Sequence, residues 1–323
     1  MSNLLITSIS NKVPLILRVK QAVGQLNKQM LIYGGDIDEN IVGKYFIDEF
    51  WLMPATDEKN KTEIVNYLER NNIKYIVPTR DNELLFWAII KEELSQKGIQ
   101  VLVSNQDTIN ICLDKLYFYQ YFSNSNINVI ESSDEISEIR TAERFVIKER
   151  YGSGSRNILI DISRDDASKR SYEFESPIYQ RYVRGKEYSV DMFIDRNGTI
   201  RGIVPRIRQL ISNGESQVTA AQNNLKLEKI SKAVAQHLQF YGHIILQFIK
   251  DEKDNYHLIE CNPRFGGAST LSVEMGLNSF YWFLTEIDLG KAVFTKFVRP
   301  VKKVTQVRYK ADMYIEGSSV HTK

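Results

Sequence analysis

Four short apolar runs, at residues 3–10, 29–33, 73–78 and 99–104, are separated by stretches of helical spacing, and this alternation constrains the fold more than any other feature. The run at 3–10 is rich in β-branched side chains and reads as a buried strand. Leu17, Val19, Ala22, Val23 and Leu26 then recur at helical spacing over 14–25, and Pro14 suits the first turn of that helix. Gly34, Gly35 and Asp36 stop the second strand. Ile64, Val65 and Leu68 lie on one face of a helix over 61–71, and a further helix is expected over 82–97. Strands alternating with helices specify a parallel sheet covered on both faces, an α/β domain placed at residues 1–107.

The pattern changes after residue 107. A helix over 107–121 is followed by hairpin signals: strands at 144–148 and 157–161 about a Gly/Ser turn, strands at 177–183 and 187–195, and a strand at 199–207 entered through Asn197-Gly198. A helix over 225–239 precedes a second hairpin, 242–251 with 256–261, and a helix over 275–289 follows. Hairpins with a few helices predict an α+β domain over 108–323.

Acidic and basic residues nearly cancel, at a net charge of +2, so the chain lacks the footprint of a nucleic-acid binder. No apolar stretch has the length of a membrane span, and the run at 4–6 is too short for a signal peptide. Cys112 and Cys261 are the two cysteines, which suggests no disulfide framework and makes a cytoplasmic protein the expectation. The four histidines show no zinc spacing.

Three groups of residues carry chemistry. Val146-Ile147-Lys148 leads into Gly152-Ser153-Gly154-Ser155, where glycine lets successive amides face an anion and Lys148 adds a point charge. The spacing is neither a P-loop nor a dinucleotide fingerprint, and a mobile hairpin tip would look the same. Gln247 sits mid-strand, and Glu260 and Asn262, two apart, project from one face of the next strand. An all-oxygen set of this kind suits magnesium held with waters and substrate phosphates, and Arg264 follows as a phosphate partner. Gln180 could serve an adenine edge and Glu187 a ribose, although a solvated strand face fits that segment better when it is taken alone. Arg206 and Arg208 share a strand face and could hold a carboxylate or phosphate as a fork.

Taken in order, Asp114-Lys115, Val146-Ile147-Lys148, Gly152-Ser153-Gly154-Ser155, Gln180-x-Tyr182-Val183-x-Gly185-x-Glu187, Gln247 and Glu260-x-Asn262-Pro263-Arg264-Phe265-Gly266-Gly267 resemble an ATP-grasp enzyme. The likeness is to the group resembling the large subunit of carbamoyl phosphate synthase, and it spans nearly the whole chain. The resemblance implies ATP, one or two Mg2+ ions (Mn2+ could replace them) and an acyl-phosphate intermediate. It implies that the domain over 108–323 has a small lobe at about 120–182 and a larger one at about 183–323. It implies that Lys115 and Lys148 bind phosphate and that the 152–155 loop closes as a lid. It assigns Gln180, with the backbone of Tyr182 and Val183, to adenine and Glu187 to ribose. Gln247, Glu260 and Asn262 become the metal ligands and Arg264 a phosphate or acyl-phosphate contact. The chain carries one such unit where carbamoyl phosphate synthase carries two in tandem. A ligase joining a small carboxylate to an amine or thiol is therefore expected. A phosphotransferase, a carbamoyl-phosphate-synthase-like enzyme and a non-catalytic nucleotide-binding module are the alternatives. The acid is placed among Arg206, Arg208, the 264–269 loop and the 79–83 segment. Neither nucleic acid nor membrane is an expected partner, and a homodimer is left as an expectation.

Overall fold

The computed structural model describes residues 2–26, 29–152, 154, 157–288 and 295–315. The first part runs β1 (Asn3–Thr7), α1 (Val13–Gln25), β2 (Ile32–Asp36), β3 (Glu49–Leu52), α2 (Lys61–Arg70), β4 (Ile73–Val77), α3 (Asp81–Gln96) and β5 (Gln100–Val101). Their sheet is wholly parallel, in the order β3-β2-β1-β4-β5. Period two along β1 explains the cover on both faces: Leu4 and Ile6 pack with Ile16 and Val19 of α1, and Leu5 packs with Leu68 of α2 and Trp87 of α3. The strand order reverses between β1 and β4, which opens a crevice at their carboxyl ends.

The second part adds α4 (Gln106–Leu113), α5 (Lys115–Ser123), β6 (Ser132–Ser133), β7 (Arg144–Glu149), β8 (Ile158–Ser163), α6 (Arg164–Arg170) and β9 (Pro177–Arg181). It continues with β10 (Lys186–Ile194), β11 (Ile200–Ser212), β12 (Glu215–Ala221), α7 (Leu225–His237), β13 (Gly242–Lys250) and β14 (Tyr256–Asn262). α8 (Ser269–Glu274), α9 (Ser279–Asp288) and β15 (Thr305–Val307) complete it. Two antiparallel sheets result, one of four strands ordered β6-β9-β7-β8 and one of six ordered β14-β13-β10-β11-β12-β15. The mixed α/β and α+β architecture is the one the sequence pattern predicts.

The six-stranded sheet has two unlike faces. One buries Tyr188, Val190, Met192, Leu246 and Phe248 against Phe118 and Phe122 of α5 and Leu227 and Val234 of α7. The other carries polar side chains, and period two puts all of them on that face.

The elements differ from expectation where a local residue decides. Gly34 and Gly35 do not stop β2 but lie within it, because a Cβ at Gly34 would come within 2.5 Å of the Ile9 side chain. The helix expected over 107–121 breaks at Asp114, whose backbone is extended and whose carboxylate caps α5 by accepting from Leu116 N and Tyr117 N. The helix expected over 275–289 begins only at Ser279, as α9, because Gly276, at φ of +88°, follows the end of α8, a short helix that the pattern did not predict. β3 and β12, which the pattern did not predict, add a parallel edge to the first sheet and a hairpin partner to β11.

Candidate active site

The metal-ligand candidates come from the β13–β14 hairpin. Gln247 stands directly opposite Glu260 in the ladder, and Asn262 opposite Ile245. Opposed residues share a face, so Gln247, Glu260 and Asn262 project together. Asn262 Nδ2 donates to Glu260 Oε1 at 3.2 Å. Among the described residues Glu260 forms no ion pair, which leaves most of its lone pairs for a cation. One carboxylate with two amide carbonyls fits magnesium, which keeps waters and phosphate oxygens in its shell.

The same face continues across the sheet. Gln247 pairs with Ser189 on β10, and Ser189 pairs with Arg206 on β11. Glu187 and Asp191 flank Ser189 at period two. The arginines are already committed. Arg206 Nε donates to Asp191 Oδ2 at 2.6 Å, and the pair is buried at 4 % and 0 % side-chain exposure. Arg208 donates to Glu187 Oε2 at 2.7 Å, Ser216 Oγ at 2.9 Å and Gly214 O at 2.6 Å. The two share a face as expected, yet they do not form a fork open to a substrate carboxylate. Glu187, expected at a ribose, gives one oxygen to Arg208 while its side chain stays 38 % exposed.

Asp191 is the node that the sequence reading missed. It also accepts from Ser269 Oγ at 2.6 Å and lies 3.0 Å from His243 Nε2. Ser269 Oγ in turn accepts from Gly266 N at 3.0 Å, which ties the network to the 264–269 loop. Burial would raise the Asp191 carboxyl pKa, but Arg206, His243 and Ser269 together hold it well below the usual range. Burial lowers the pKa of His243, so its ring is neutral at pH 7, with Nε2–H toward Asp191 and Nδ1 toward Ser279 Oγ at 3.0 Å. The ring stacks on Phe265 at 4.1 Å, and Phe265 stacks on Phe280 at 4.0 Å. The period-two run Glu187, Ser189, Asp191 inside an apolar strand was the available signal.

The four-stranded sheet supplies the opposing groups. Val146 pairs with Gln180, so Lys148 and Gln180 share a face, and Lys148 Nζ donates to Gln180 Oε1 at 3.1 Å. Gln180 Nε2 donates to Ser132 Oγ at 2.9 Å. The Lys148 pKa is lowered to about 8, chiefly by burial, with the Lys115 charge adding and the Glu260 charge opposing. The sheet therefore brings Lys148 within the field of Glu260 on the β13–β14 hairpin. Lys115 Nζ donates to Gly152 O at 2.8 Å and Arg150 O at 3.3 Å. Arg150 clamps the Asp114 carboxylate through Nε and Nη2 at 2.8 and 2.7 Å, anchoring the base of the 152–155 loop. Gly152 and Gly154 adopt φ of +108° and +76°, while Ser153 and Ser155 lie outside the described residues. Tyr182 and Val183 lie in the segment joining β9 to β10, between the two antiparallel sheets.

Arg264 crosses to the first domain. Its Nε donates to Asp81 Oδ1 at 2.7 Å, its Nη2 also reaches Asp81 Oδ2, and Nη2 contacts Asn262 Oδ1 at 3.3 Å. Asp81 opens α3 at the carboxyl end of β4, so the β13–β14 hairpin faces the crevice of the parallel sheet.

Two family models match separate parts of the chain. Residues 4–102 match a PylC-like N-terminal domain, and residues 173–313 match ATP-grasp proteins in the biosynthetic pathway with the Ter operon. The chain belongs to the ATP-grasp superfamily. This ATP-grasp protein is 23 % identical over 310 residues to a carbamoyl-phosphate synthase of Methanobrevibacter smithii, covering 82 % of each chain. Its fold is similar to the biotin carboxylase domain of 2-oxoglutarate carboxylase from Hydrogenobacter thermophilus, solved with Mg-ADP and bicarbonate (TM-score 0.75, 17 % identity, 94 % and 73 % of the two chains). It is also similar to N5-carboxyaminoimidazole synthetase from Staphylococcus aureus (TM-score 0.71, 16 % identity, 94 % and 81 %). An L-amino acid ligase from Bacillus licheniformis gives a TM-score of 0.69 at 16 % identity, over 94 % and 79 %. Among the described residues no helix is long and apolar enough to cross a membrane.

Proposed function

We propose that this ATP-grasp protein is an ATP- and magnesium-dependent ligase that activates a small-molecule carboxylate as an acyl phosphate and passes the acyl group to an amine or thiol. The observation that carries the proposal is the convergence of Gln247, Glu260 and Asn262 on one sheet face opposite Lys148. Lys115 and Lys148 have neutral oxygens as their hydrogen-bond partners, carbonyls for the first and the Gln180 amide for the second. Their charges are therefore left to meet the phosphates. Gln247, Glu260 and Asn262 would hold magnesium, which when bound neutralises charge on the β- and γ-phosphates.

In this proposal Lys148 and Lys115 stabilise the γ-phosphoryl group as a substrate carboxylate oxygen attacks it and the bond to ADP breaks. Arg264, fixed by Asp81, faces the acyl phosphate that forms. The amine then attacks the acyl carbon, and phosphate leaves. An acyl phosphate hydrolyses readily, so closure of the 152–155 loop serves to exclude water. The test is ADP release screened over pairs of carboxylates and amines. Release that needs both partners supports the ligase, release with the acid alone supports a phosphotransferase, and no nucleotide turnover with any pair refutes the proposal.

A further inference from the structure

The charges lining the crevice point to an unassigned specificity residue, Arg80, and the inference rests on the ligase proposal above. Most cations at this junction are spoken for. Arg206 is neutralised by Asp191, Arg208 by Glu187 and Arg264 by Asp81. Lys12 is buried, and its ammonium donates to Ser8 O at 2.8 Å, Thr79 O at 2.9 Å and Thr79 Oγ1 at 2.6 Å. Those bonds leave Lys12 no donor for a ligand.

Arg80 differs. Its backbone is held on both sides: Glu83 Oε1 accepts from Thr79 N and Arg80 N, each at 2.9 Å, and Asp81 is gripped by Arg264. Glu83 Oε2 accepts from Trp87 Nε1 at 3.3 Å, so that carboxylate is engaged by neutral donors. The Arg80 side chain is half-buried and has no carboxylate partner among the described residues. A locked backbone carrying an uncommitted guanidinium is pre-organised for a planar anion.

Position then fixes which anion. The reacting carboxylate must lie at the metal hairpin, next to Asn262, and Arg264 occupies the space between Asn262 and Asp81. Arg80 immediately precedes Asp81, in the segment that leaves the carboxyl end of β4. We infer that Arg80 receives a second anionic group of the acid substrate, remote from the carboxylate that is activated, and that the substrate is therefore an acid carrying at least two negative groups.

The test uses the full chain loaded with Mg-ADP, titrated calorimetrically with malonate, succinate, glutarate and adipate and with the monoamide of each. Bicarbonate serves as the small monoanion control. At least one dicarboxylate should bind about tenfold or more tighter than its monoamide, the difference expected of a charge-assisted hydrogen bond. Arg80→Gln should bring the two within about twofold, Arg80→Lys should keep part of the preference, and Mg-ADP affinity should not change in either. The inference is overturned if no dicarboxylate is preferred to its monoamide, or if Arg80→Gln retains the preference. Failure of the ligase proposal would look different: the binding preference would persist without carboxylate-dependent ADP release.

Discussion

Asp191→Asn is the most informative perturbation of the sheet that carries the site. Asparagine keeps the volume and some hydrogen-bonding capacity but removes the charge that neutralises Arg206, which is buried at 3 % exposure. Removing one partner of a buried, hydrogen-bonded ion pair costs about 3–5 kcal/mol, most of it the penalty of the charge left behind. At roughly 2–4 °C per kcal/mol for domains of about this size, the unfolding midpoint should fall by roughly 6–20 °C. The Arg206→Met/Asp191→Asn double variant, which leaves no buried charge, should recover much of that loss. The pH dependence has a definite sign. Asp191 has a depressed folded pKa, so its contribution is present above the ordinary carboxylate range near pH 4 and is lost as pH falls toward its folded value. The stability difference between wild type and Asp191→Asn should therefore shrink on acidification below about pH 4. Denaturant titration at pH 7 and pH 3 measures both effects. A single variant within about 1 kcal/mol of wild type, or a double variant no better than the single, would refute the buried-pair account.

Glu260→Gln removes the one carboxylate of the metal set with little change in volume, and magnesium-dependent ADP release should fall to background while the thermal midpoint holds. Lys148→Ala should weaken nucleotide binding measured by calorimetry, and unchanged affinity would assign Lys148 to packing alone. Because the Lys148 pKa is lowered to about 8, its ammonium is lost as pH rises through that value, so nucleotide affinity should decline above pH 8. Lys148→Arg should abolish the decline, since guanidinium stays charged. Asp81→Asn should loosen the Arg264 tether, lowering turnover with little effect on nucleotide affinity.

Much of this was legible in the residues. Period two placed Gln247, Glu260 and Asn262 on one face, and the ladder sets Gln247 opposite Glu260. Helical and strand periods gave the architecture, because each element buries one face. Partnering was not legible. Arg206 and Arg208 share a face, but their carboxylates, Asp191 and Glu187, lie on a neighbouring strand whose register only tertiary structure sets. Asp81 and Arg264 are separated by 183 residues and meet only when the parallel sheet and the metal hairpin are docked. β3 escaped notice because its apolar run is only Phe50 to Met53 with no period-two alternation, and β12 because it is rich in small polar residues. The break at Asp114 was written in a helix-capping residue and the late start of α9 in Gly276, but each sits within an apolar periodicity that masks it.

The acyl phosphate is the central claim, and an isotope experiment reaches it most directly. A carboxylate that supports ADP release is labelled with ¹⁸O in both oxygens, and the phosphate released in the presence of its amine partner is analysed by mass. If the carboxylate attacks the γ-phosphorus and the amine later displaces phosphate from the acyl carbon, one ¹⁸O atom passes to each phosphate. Phosphate with no label, formed at the rate of amide production, would contradict the account.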